Sequence, residues 1–361
     1  MEITENKIIM PRWDNWHAHF RQDKLLPFMI HQFMQQRMGR VIAMPNTRPA
    51  ILTADQAIQY QKDINTWVEH YHNQDGLPKI TPVMTFQITE ETTLEMVDAC
   101  ARAGVMAGKI YPKNMTTHSE NGVETYMKLY PIAKRMEELH MIMLFHGESP
   151  NSQVEGLDKE LRFLDTFREF VFACPKLRCV LEHITTEAAV ICISTLPDNA
   201  VATITAHHLY LTLDDVIGYS AESGYFMQPH NMCKPVAKRH EDSKALVTAA
   251  ISGNHQFFCG NDDAAHYKSK KECANVCAGI FNTPTALALI VQIFEQQHSL
   301  DKLEGFLSLH GAQFYQMQPN SETITLKRDP WTVPTEYPVP DTLEVVIPFL
   351  AGEKLEWQIA A

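Results

Sequence analysis

The chain has 361 residues, 45% of them hydrophobic, and is long enough to bury a large core without disulfide or metal supports. Its 31 Lys and Arg residues against 43 Asp and Glu residues give a formal net charge of −12. This balance argues against a surface for nucleic acid or an anionic membrane, and it leaves small-molecule chemistry as the default.

The cysteines and the hydrophobic runs bear on the cellular compartment. The eight cysteines are scattered without paired spacing, and no secretory leader opens the chain. No apolar run approaches the roughly 20 residues that a membrane span needs. We therefore expect a protein with reduced thiols in the cytoplasm.

Short apolar runs alternate with amphipathic segments of helical length along most of the chain. The predicted strands are residues 8–17, 41–45, 80–88, 105–111, 141–146, 179–184, 201–206 and 257–260. The predicted helices between them include residues 53–71, 89–103, 123–139 and 157–172. Such alternation implies a parallel sheet covered by helices, and about eight units close a TIM-type (β/α)8 barrel.

An open doubly wound sheet is the competing architecture. Against it, no Gly-x-Gly-x-x-Gly follows the first predicted strand, and no Gly-x-x-x-x-Gly-Lys-Ser/Thr occurs in the chain. The barrel is therefore the prediction.

After the last predicted strand, residues 283–297 and 300–315 have helical patterns. Beyond Asn320 a Pro-rich segment and two short apolar runs predict an ordered tail that packs on the barrel. We expect a single catalytic domain over residues 1–361, with a barrel core at about 8–318 and a C-terminal extension at about 319–361.

Polar side chains follow the predicted strands at their carboxyl ends. In a strand, His17 and His19 would project to one side, where two imidazoles can chelate a metal. In a barrel all the carboxyl ends meet at one face, where active sites of this fold are built, so residues distant in sequence converge. The residues at these ends are His17, His19, Arg21, Asn46, Lys109, His146, His183, Asp262 and His266.

These residue types are those of a hydrolytic metal site. Neutral imidazoles and carboxylates suit zinc, and two zinc ions could share a hydroxide. Four histidines and one aspartate are few ligands for two ions, so a bridging anion would complete the set. Lys109 could supply it only if its amine is carboxylated, because an ammonium has no lone pair. The alternatives for Lys109 are a surface lysine or a contact to a substrate carboxylate, but its apolar neighbours favour an inward position.

Several motifs occur in a fixed order over nearly the whole chain. They are His17-x-His19-x-Arg21, Met44-Pro45-Asn46, Lys109-Ile110-Tyr111-Pro112, His146-Gly147-Glu148, Glu182-His183-Ile184-Thr185-Thr186, Asp262 with His266, Ala278-Gly279 and Pro348-Phe349-Leu350-Ala351-Gly352-Glu353. This ordered set resembles the signature of the dihydroorotases in the amidohydrolase superfamily, and more narrowly their short, single-function bacterial type.

The resemblance implies a two-zinc centre. His17, His19 and Asp262 would hold one ion, and His146 and His183 would hold the other. Carboxylated Lys109 would bridge the two ions together with a hydroxide.

The resemblance also implies the substrate and its contacts. The reaction would interconvert N-carbamoyl-L-aspartate and L-dihydroorotate in the synthesis of pyrimidines and UMP, with the hydroxide as nucleophile and Asp262 as general base and then general acid. The family further suggests a homodimer. Arg21 and Asn46 are expected to bind the α-carboxylate, and His266 would add a further contact. Thr116 and Thr117 would belong to a mobile loop that closes over the substrate. Asn231 and Ala278 are the remaining expected substrate contacts.

Two positions depart from the family pattern. Asp263 adds a carboxylate beside Asp262, where it could shift the electrostatics or face away. Asn231 stands where an apolar residue is expected, which puts substrate affinity in doubt.

His207 and His208 end the seventh predicted strand, but the family draws no ligand from that strand, so we expect them to be structural.

Two other functions remain open at the level of sequence. A hydantoinase-like cyclic-amide hydrolase is one, although Arg21 with Asn46 favours a carboxylated substrate. A non-catalytic scaffold relative is the other, although such relatives typically lose ligands and this chain has the full set.

Overall fold

The computed structural model describes residues 1–116, 119–221 and 224–360. The strands are β1 (Glu2–Thr4), β2 (Lys7–Pro11), β3 (Asn15–Ala18), β4 (Arg40–Ala43), β5 (Thr81–Ile88), β6 (Ala107–Ile110), β7 (Ile142–His146), β8 (Arg178–Glu182), β9 (Ala200–Ile204), β10 (Ile217–Ser220), β11 (Gly224–Met227), β12 (Phe257–Cys259), β13 (Thr323–Thr332), β14 (Tyr337–Pro338), β15 (Val345–Val346) and β16 (Lys354–Ile359). The α-helices are α1 (Leu25–Gln35), α2 (Ala54–Asp75), α3 (Leu94–Arg102), α4 (Tyr130–Glu138), α5 (Leu164–Ala173), α6 (Glu187–Ser194), α7 (His240–Ile251), α8 (Lys268–Lys271), α9 (Ala286–Gln296) and α10 (His310–Phe314).

Eight parallel strands form the central sheet in the order β12-β9-β8-β7-β6-β5-β4-β3. The two outer strands meet just beyond their ends, where the Asp262 amide donates to the His17 carbonyl (2.9 Å) and the His19 amide to the Asp263 carbonyl (2.8 Å). These bonds join the first and last strands and bring both chain segments of the predicted site together. The predicted TIM-type barrel is confirmed.

The barrel interior is filled by apolar side chains. One separate core cluster takes a residue from each of the eight strands, including Trp16, Ile42 and Phe258, and adds Ala312 and Tyr315 from the region of α10. Trp16 stacks on Tyr315 with ring centroids 4.2 Å apart. Both faces of the barrel strands are therefore apolar: the inner face packs in this interior cluster, and the outer face packs against the helices.

The predicted first strand, residues 8–17, was wrong as a single element. The Trp13 indole donates to the Gln36 carbonyl (2.8 Å) and the Asp14 amide to the Leu307 carbonyl (3.0 Å), so the chain changes sheets between β2 and β3. Only β3 enters the barrel. β2 pairs antiparallel with β13 of the C-terminal extension in a four-stranded sheet of order β1-β2-β13-β16.

The helices start later than the amphipathic patterns suggest. Thr53 caps α2 in a capping box with Gln56. Thr93 caps α3 and Pro131 lies in the first turn of α4, which sets their starts at Leu94 and Tyr130.

The predicted helix 300–315 is broken into a 3₁₀ turn, a π-helical turn and the short α10. Among the described helices, none has the length and apolarity that crossing a membrane requires.

Candidate active site

A small cavity lies at the carboxyl ends of the barrel strands. It brings together predicted residues from seven separate parts of the chain. Its lining residues are His17, His19, Arg21, Asn46, Tyr111, Thr116, His146, His183, Lys234, Asp262, Ala264, Ala278 and Gly279.

His17, His19 and Asp262 form one compact group of possible ligands. One ligand atom from each residue lies within 4.8 Å of the others. Asp262 Oδ1 is 3.0 Å from His19 Nε2 and 3.4 Å from His17 Nε2. On its other side, His17 Nδ1 is 2.8 Å from Glu182 Oε2, and a carboxylate there favours a proton on Nδ1. The Nε2 lone pair of His17 is then available to a metal.

His146, His183 and Lys109 lie beside this group. The imidazole centroids of His146 and His183 are 4.8 Å apart, and those of His183 and His17 are also 4.8 Å apart. Glu148 Oε2 is 2.7 Å from His146 Nε2, so Nδ1 of His146 is the nitrogen that is available to ligate a metal. His183 Nδ1 is buried and, within the described residues, has no hydrogen-bond partner.

The Lys109 amine is close enough to the four histidines to contribute to the lowering of their pKa, although Lys109 is not among the residues that line the cavity. The side chain is fully buried, and its Nζ has no hydrogen-bond partner in the described part of the chain. An unpaired buried ammonium is costly, so either the charge is lost or a group that the protein alone does not supply satisfies it. Its burial excludes a surface position for this lysine.

Three residues of the site also have strained backbone conformations. Asp262 has φ +48°, His183 has φ +40° and Arg21 has φ +64°, all in the left-handed region that residues other than glycine rarely adopt. Each of these residues lies one to three positions after the end of a barrel strand, where the chain turns. Such strain persists only where the surrounding structure enforces it, and it is common at active sites.

The electrostatics favour neutral imidazoles beside one charged carboxylate. Burial lowers the pKa of His17, His19, His146 and His183, and only the neutral ring can ligate a metal. Burial opposes ionisation of Asp262, but the His19 hydrogen bond and the neighbouring imidazoles outweigh it and hold that pKa at about 2.

Burial also lowers the pKa of Lys109 to about 8 and raises the pKa of Glu182 to about 7. The amine of Lys109 thus loses its proton far more readily than an ordinary lysine does.

Arg21 and Asn46 line the wall that the cavity shares with a neighbouring, more open pocket. Arg21 Nε donates to the Ala265 carbonyl (2.9 Å), and Arg21 Nη2 is 2.9 Å from His266 Nε2. His266 lines only the neighbouring pocket, and its Nε2 is also 3.0 Å from the Ala278 carbonyl. His266 Nε2 is thus close to both Arg21 and the Ala278 carbonyl. Because the guanidinium only donates and the carbonyl only accepts, this nitrogen can hydrogen-bond to only one of them in a given tautomer. His266 lies outside the lining of the central cavity.

The other expected substrate contacts are placed differently. Thr116 and Ala278 line the cavity. Thr117 lies outside the described residues. Asn231 does not line this cavity; its amide donates to the Asp215 carbonyl (3.0 Å) and faces another pocket.

Sequence reasoning assigned no role to Glu148, Glu182 or Lys234. The two carboxylates are fully buried and hold His146 and His17, and Lys234 Nζ is 3.6 Å from Glu148 Oε1 at the cavity wall. The signal for Glu148 was its place two residues after His146 in a strand-end motif. Glu182 gave a weaker signal, because it orients a histidine 165 residues away.

The additional carboxylate of Asp263 faces away from the cavity. It accepts hydrogen bonds from Asn15 Nδ2 (2.8 Å) and Thr283 Oγ1 (2.7 Å), and burial raises its pKa to about 7. Asp263 therefore supports the closure of the barrel between β12 and β3.

His207, His208 and Cys233 also have their ligand atoms within 4.8 Å of one another. His208 Nε2 is 3.0 Å from the Pro235 carbonyl, which can only accept, so this nitrogen carries a proton. The Asn282 amide nitrogen is 2.8 Å from His207 Nδ1 and also donates to the Asn261 carbonyl, so Nδ1 of His207 accepts and its Nε2 carries the proton. These protonated nitrogens suit a structural cluster rather than a metal site.

No protein-family model matches the chain. Comparison with curated proteins, however, finds dihydroorotases that match nearly its whole length. The chain is 38% identical to the dihydroorotase of Shewanella denitrificans over 354 residues, which cover 98% of each chain. It is also 38% identical to the dihydroorotase of Vibrio vulnificus, covering 98% of this chain and 99% of that protein.

Solved structures agree. The dihydroorotase of Saccharomyces cerevisiae in complex with 5-fluoroorotic acid superposes with a TM-score of 0.88 at 31% identity over 98% of both chains. The dihydroorotase of Campylobacter jejuni gives a TM-score of 0.86 at 28% identity over 100% of this chain and 99% of that one. An L-hydantoinase of Arthrobacter aurescens, with a TM-score of 0.79, 14% identity and coverage of 98% of this chain and 83% of that one, shares the fold alone. The predicted family is thus confirmed: this chain belongs to the dihydroorotases, a family of cyclic amide hydrolases.

Proposed function

We propose that this chain is an active zinc dihydroorotase that interconverts N-carbamoyl-L-aspartate and L-dihydroorotate in pyrimidine biosynthesis. The observation that carries the proposal is the buried Lys109 amine, which has no hydrogen-bond partner among the described residues and lies close to four imidazoles and Asp262, next to a cavity that Arg21 lines.

The donor set fits two zinc ions. His17 Nε2, His19 and Asp262 would hold one ion, and His146 Nδ1 and His183 would hold the other. A carbamate formed on the Lys109 amine would supply oxygen ligands to both ions, and no hydrogen-bond partner among the described residues competes for that nitrogen. When bound, the zinc ions would activate water as the nucleophile and polarise the amide carbonyl.

Asp262 would carry the proton. Its Oδ1 faces His19 and His17, so its other carboxylate oxygen is available to accept a proton from the attacking water. In ring opening it would pass that proton to the leaving ring nitrogen, and ring closure is the reverse. A carboxylate that is ionised over the whole physiological range suits the base role.

Arg21 would bind the substrate's carboxylate. Its planar guanidinium can donate two parallel hydrogen bonds, and contacts to Ala265 and His266 fix its orientation. A hydantoin has no carboxylate in that position, so Arg21 with Asn46 favours the dihydroorotase reaction over the hydantoinase reaction.

A test of the proposal measures the zinc content of the purified protein together with rates on L-dihydroorotate, N-carbamoyl-L-aspartate and hydantoin. We expect about two zinc ions per chain, turnover of the first two compounds and none of hydantoin. Fully metallated protein that is inert toward both dihydroorotase substrates would reject the proposal. Protein without metal would favour the scaffold alternative.

Replacing Arg21 with Lys should raise KM for both substrates by about 10- to 100-fold, because a lysine cannot reproduce the paired contact to a carboxylate. We expect kcat to change much less. Steady-state kinetics in both directions test this, with the exposed Arg162→Lys as the matched control. An unchanged KM would remove Arg21 from the substrate site.

Replacing Glu148 with Gln should weaken zinc binding by about 10- to 100-fold, because the amide no longer fixes His146 with Nδ1 toward the metal. Competition with a chromophoric chelator measures this affinity without reference to activity. The exposed Glu155→Gln serves as control. Equal affinities in the two variants would show that Glu148 does not orient a ligand.

We further propose a cytoplasmic homodimer in which residues 1–361 form one domain. The paired N- and C-terminal strands support the single domain, because β2 and β13 share one sheet. Sedimentation equilibrium would test the dimer.

A further inference from the structure

Lys271, at the end of α8, is a buried lysine that the proposed chemistry does not use. Its side chain is 3% exposed. Its Nζ donates to three backbone carbonyls: Gly279 at 2.7 Å, Met232 at 2.9 Å and Cys277 at 3.0 Å. An ammonium has three N–H groups, so every donor of this side chain is used.

The three carbonyls belong to two segments that line the cavity. Residues 277–279 contribute Ala278 and Gly279 to its wall, and Met232 is two residues from Lys234, which also lines it. The Gly279 amide donates to the same Met232 carbonyl (2.9 Å), so the two segments are joined directly as well as through Lys271.

The segment at 277–279 has little room to move while it is held this way. Gly279 has φ +142°, and a Cβ built on it would lie 2.7 Å from the Ala264 side chain, itself part of the cavity wall. The neighbouring Ala278 carbonyl is in contact with His266, which in turn contacts Arg21. Displacement of this segment would therefore reach the proposed carboxylate-binding group.

We infer that Lys271 is a positioning residue for substrate binding: its ammonium holds the backbone at 277–279 against Met232, so that Ala278 and Gly279 present a fixed wall beside Arg21. The inference rests on the proposed dihydroorotase function. It assigns Lys271 no contact with substrate or metal, so its effect should appear in substrate affinity and leave the metal centre intact.

The decisive variant is Lys271→Met, which keeps most of the side-chain volume and removes all three donors. We expect KM for both substrates to rise about tenfold or more, kcat to stay within about threefold, and zinc content to stay at the wild-type value. Because the equilibrium constant is fixed, kcat/KM must fall by the same factor in both directions, which checks the kinetics internally. Lys268→Met is the matched control, since it removes a partly exposed lysine from the same helix and should leave KM unchanged.

Two results would overturn the inference: an unchanged KM in folded Lys271→Met, or a fall in kcat accompanied by loss of zinc. If Lys271→Met does not fold, Lys271→Gln keeps two N–H donors on a shorter chain and is judged by the same split between KM and kcat. Failure of the proposed function is distinguishable, because the wild type itself would then turn over neither substrate.

Discussion

Replacing Asp262 with Asn is expected to lower kcat by about 10³-fold or more in both reaction directions. The substitution keeps the shape of the side chain. It removes the proton acceptor and one negative charge from the ligand group of His17, His19 and Asp262. Asp262 lies 3.0 Å from His19 and, with its pKa held at about 2, is charged at any working pH. Loss of a substrate contact alone, as in Arg21→Lys, should have a smaller effect on kcat.

Zinc content and rates should be measured on the same preparation, at saturating zinc. Asp165→Asn is the matched control, because that carboxylate is 92% exposed and is not among the residues that line the cavity. An Asp262→Asn protein with full zinc and nearly wild-type kcat would show that another group carries the proton.

Lys109→Ala should lose at least about 10³-fold in kcat and bind less zinc than the wild type, because the anion between the two ligand groups is gone. A short carboxylic acid such as acetate or propionate should restore part of both the activity and the zinc content, since a carboxylate can enter the space that the side chain leaves. Removal of zinc from the wild type followed by reconstitution should likewise depend on bicarbonate, the source of the carbamate.

The control for this experiment is Lys62→Ala, an exposed lysine on α2. A Lys109→Ala protein that keeps two zinc ions and high activity would refute the bridging role. Reconstitution that is indifferent to bicarbonate would favour Lys109 as a substrate-carboxylate contact, the other interior role that its residue type allows.

Local pattern was enough for the barrel and for most of the candidate site. Strands buried on both faces are continuous apolar runs. In helices buried on one side, apolar residues recur every three to four positions, so βα alternation is visible in the sequence. Since a parallel barrel gathers the carboxyl ends of its strands, the residue after each run is a site candidate whatever its distance along the chain. His17, His146 and His183 could be named on that ground, and the family resemblance added their grouping.

Contacts between distant segments decided the rest. Residues 8–17 have one continuous strand pattern, yet bonds to Gln36 and Leu307 divide them between two sheets. Which nitrogen of His17 is available depends on Glu182, and the donors of Lys271 are satisfied by carbonyls, which have no sequence signature at all. A sequence therefore determines which residues can do the chemistry, because type and periodicity are local. Only the tertiary structure determines protonation, orientation and support, because those arise from neighbours that the chain brings together when it folds.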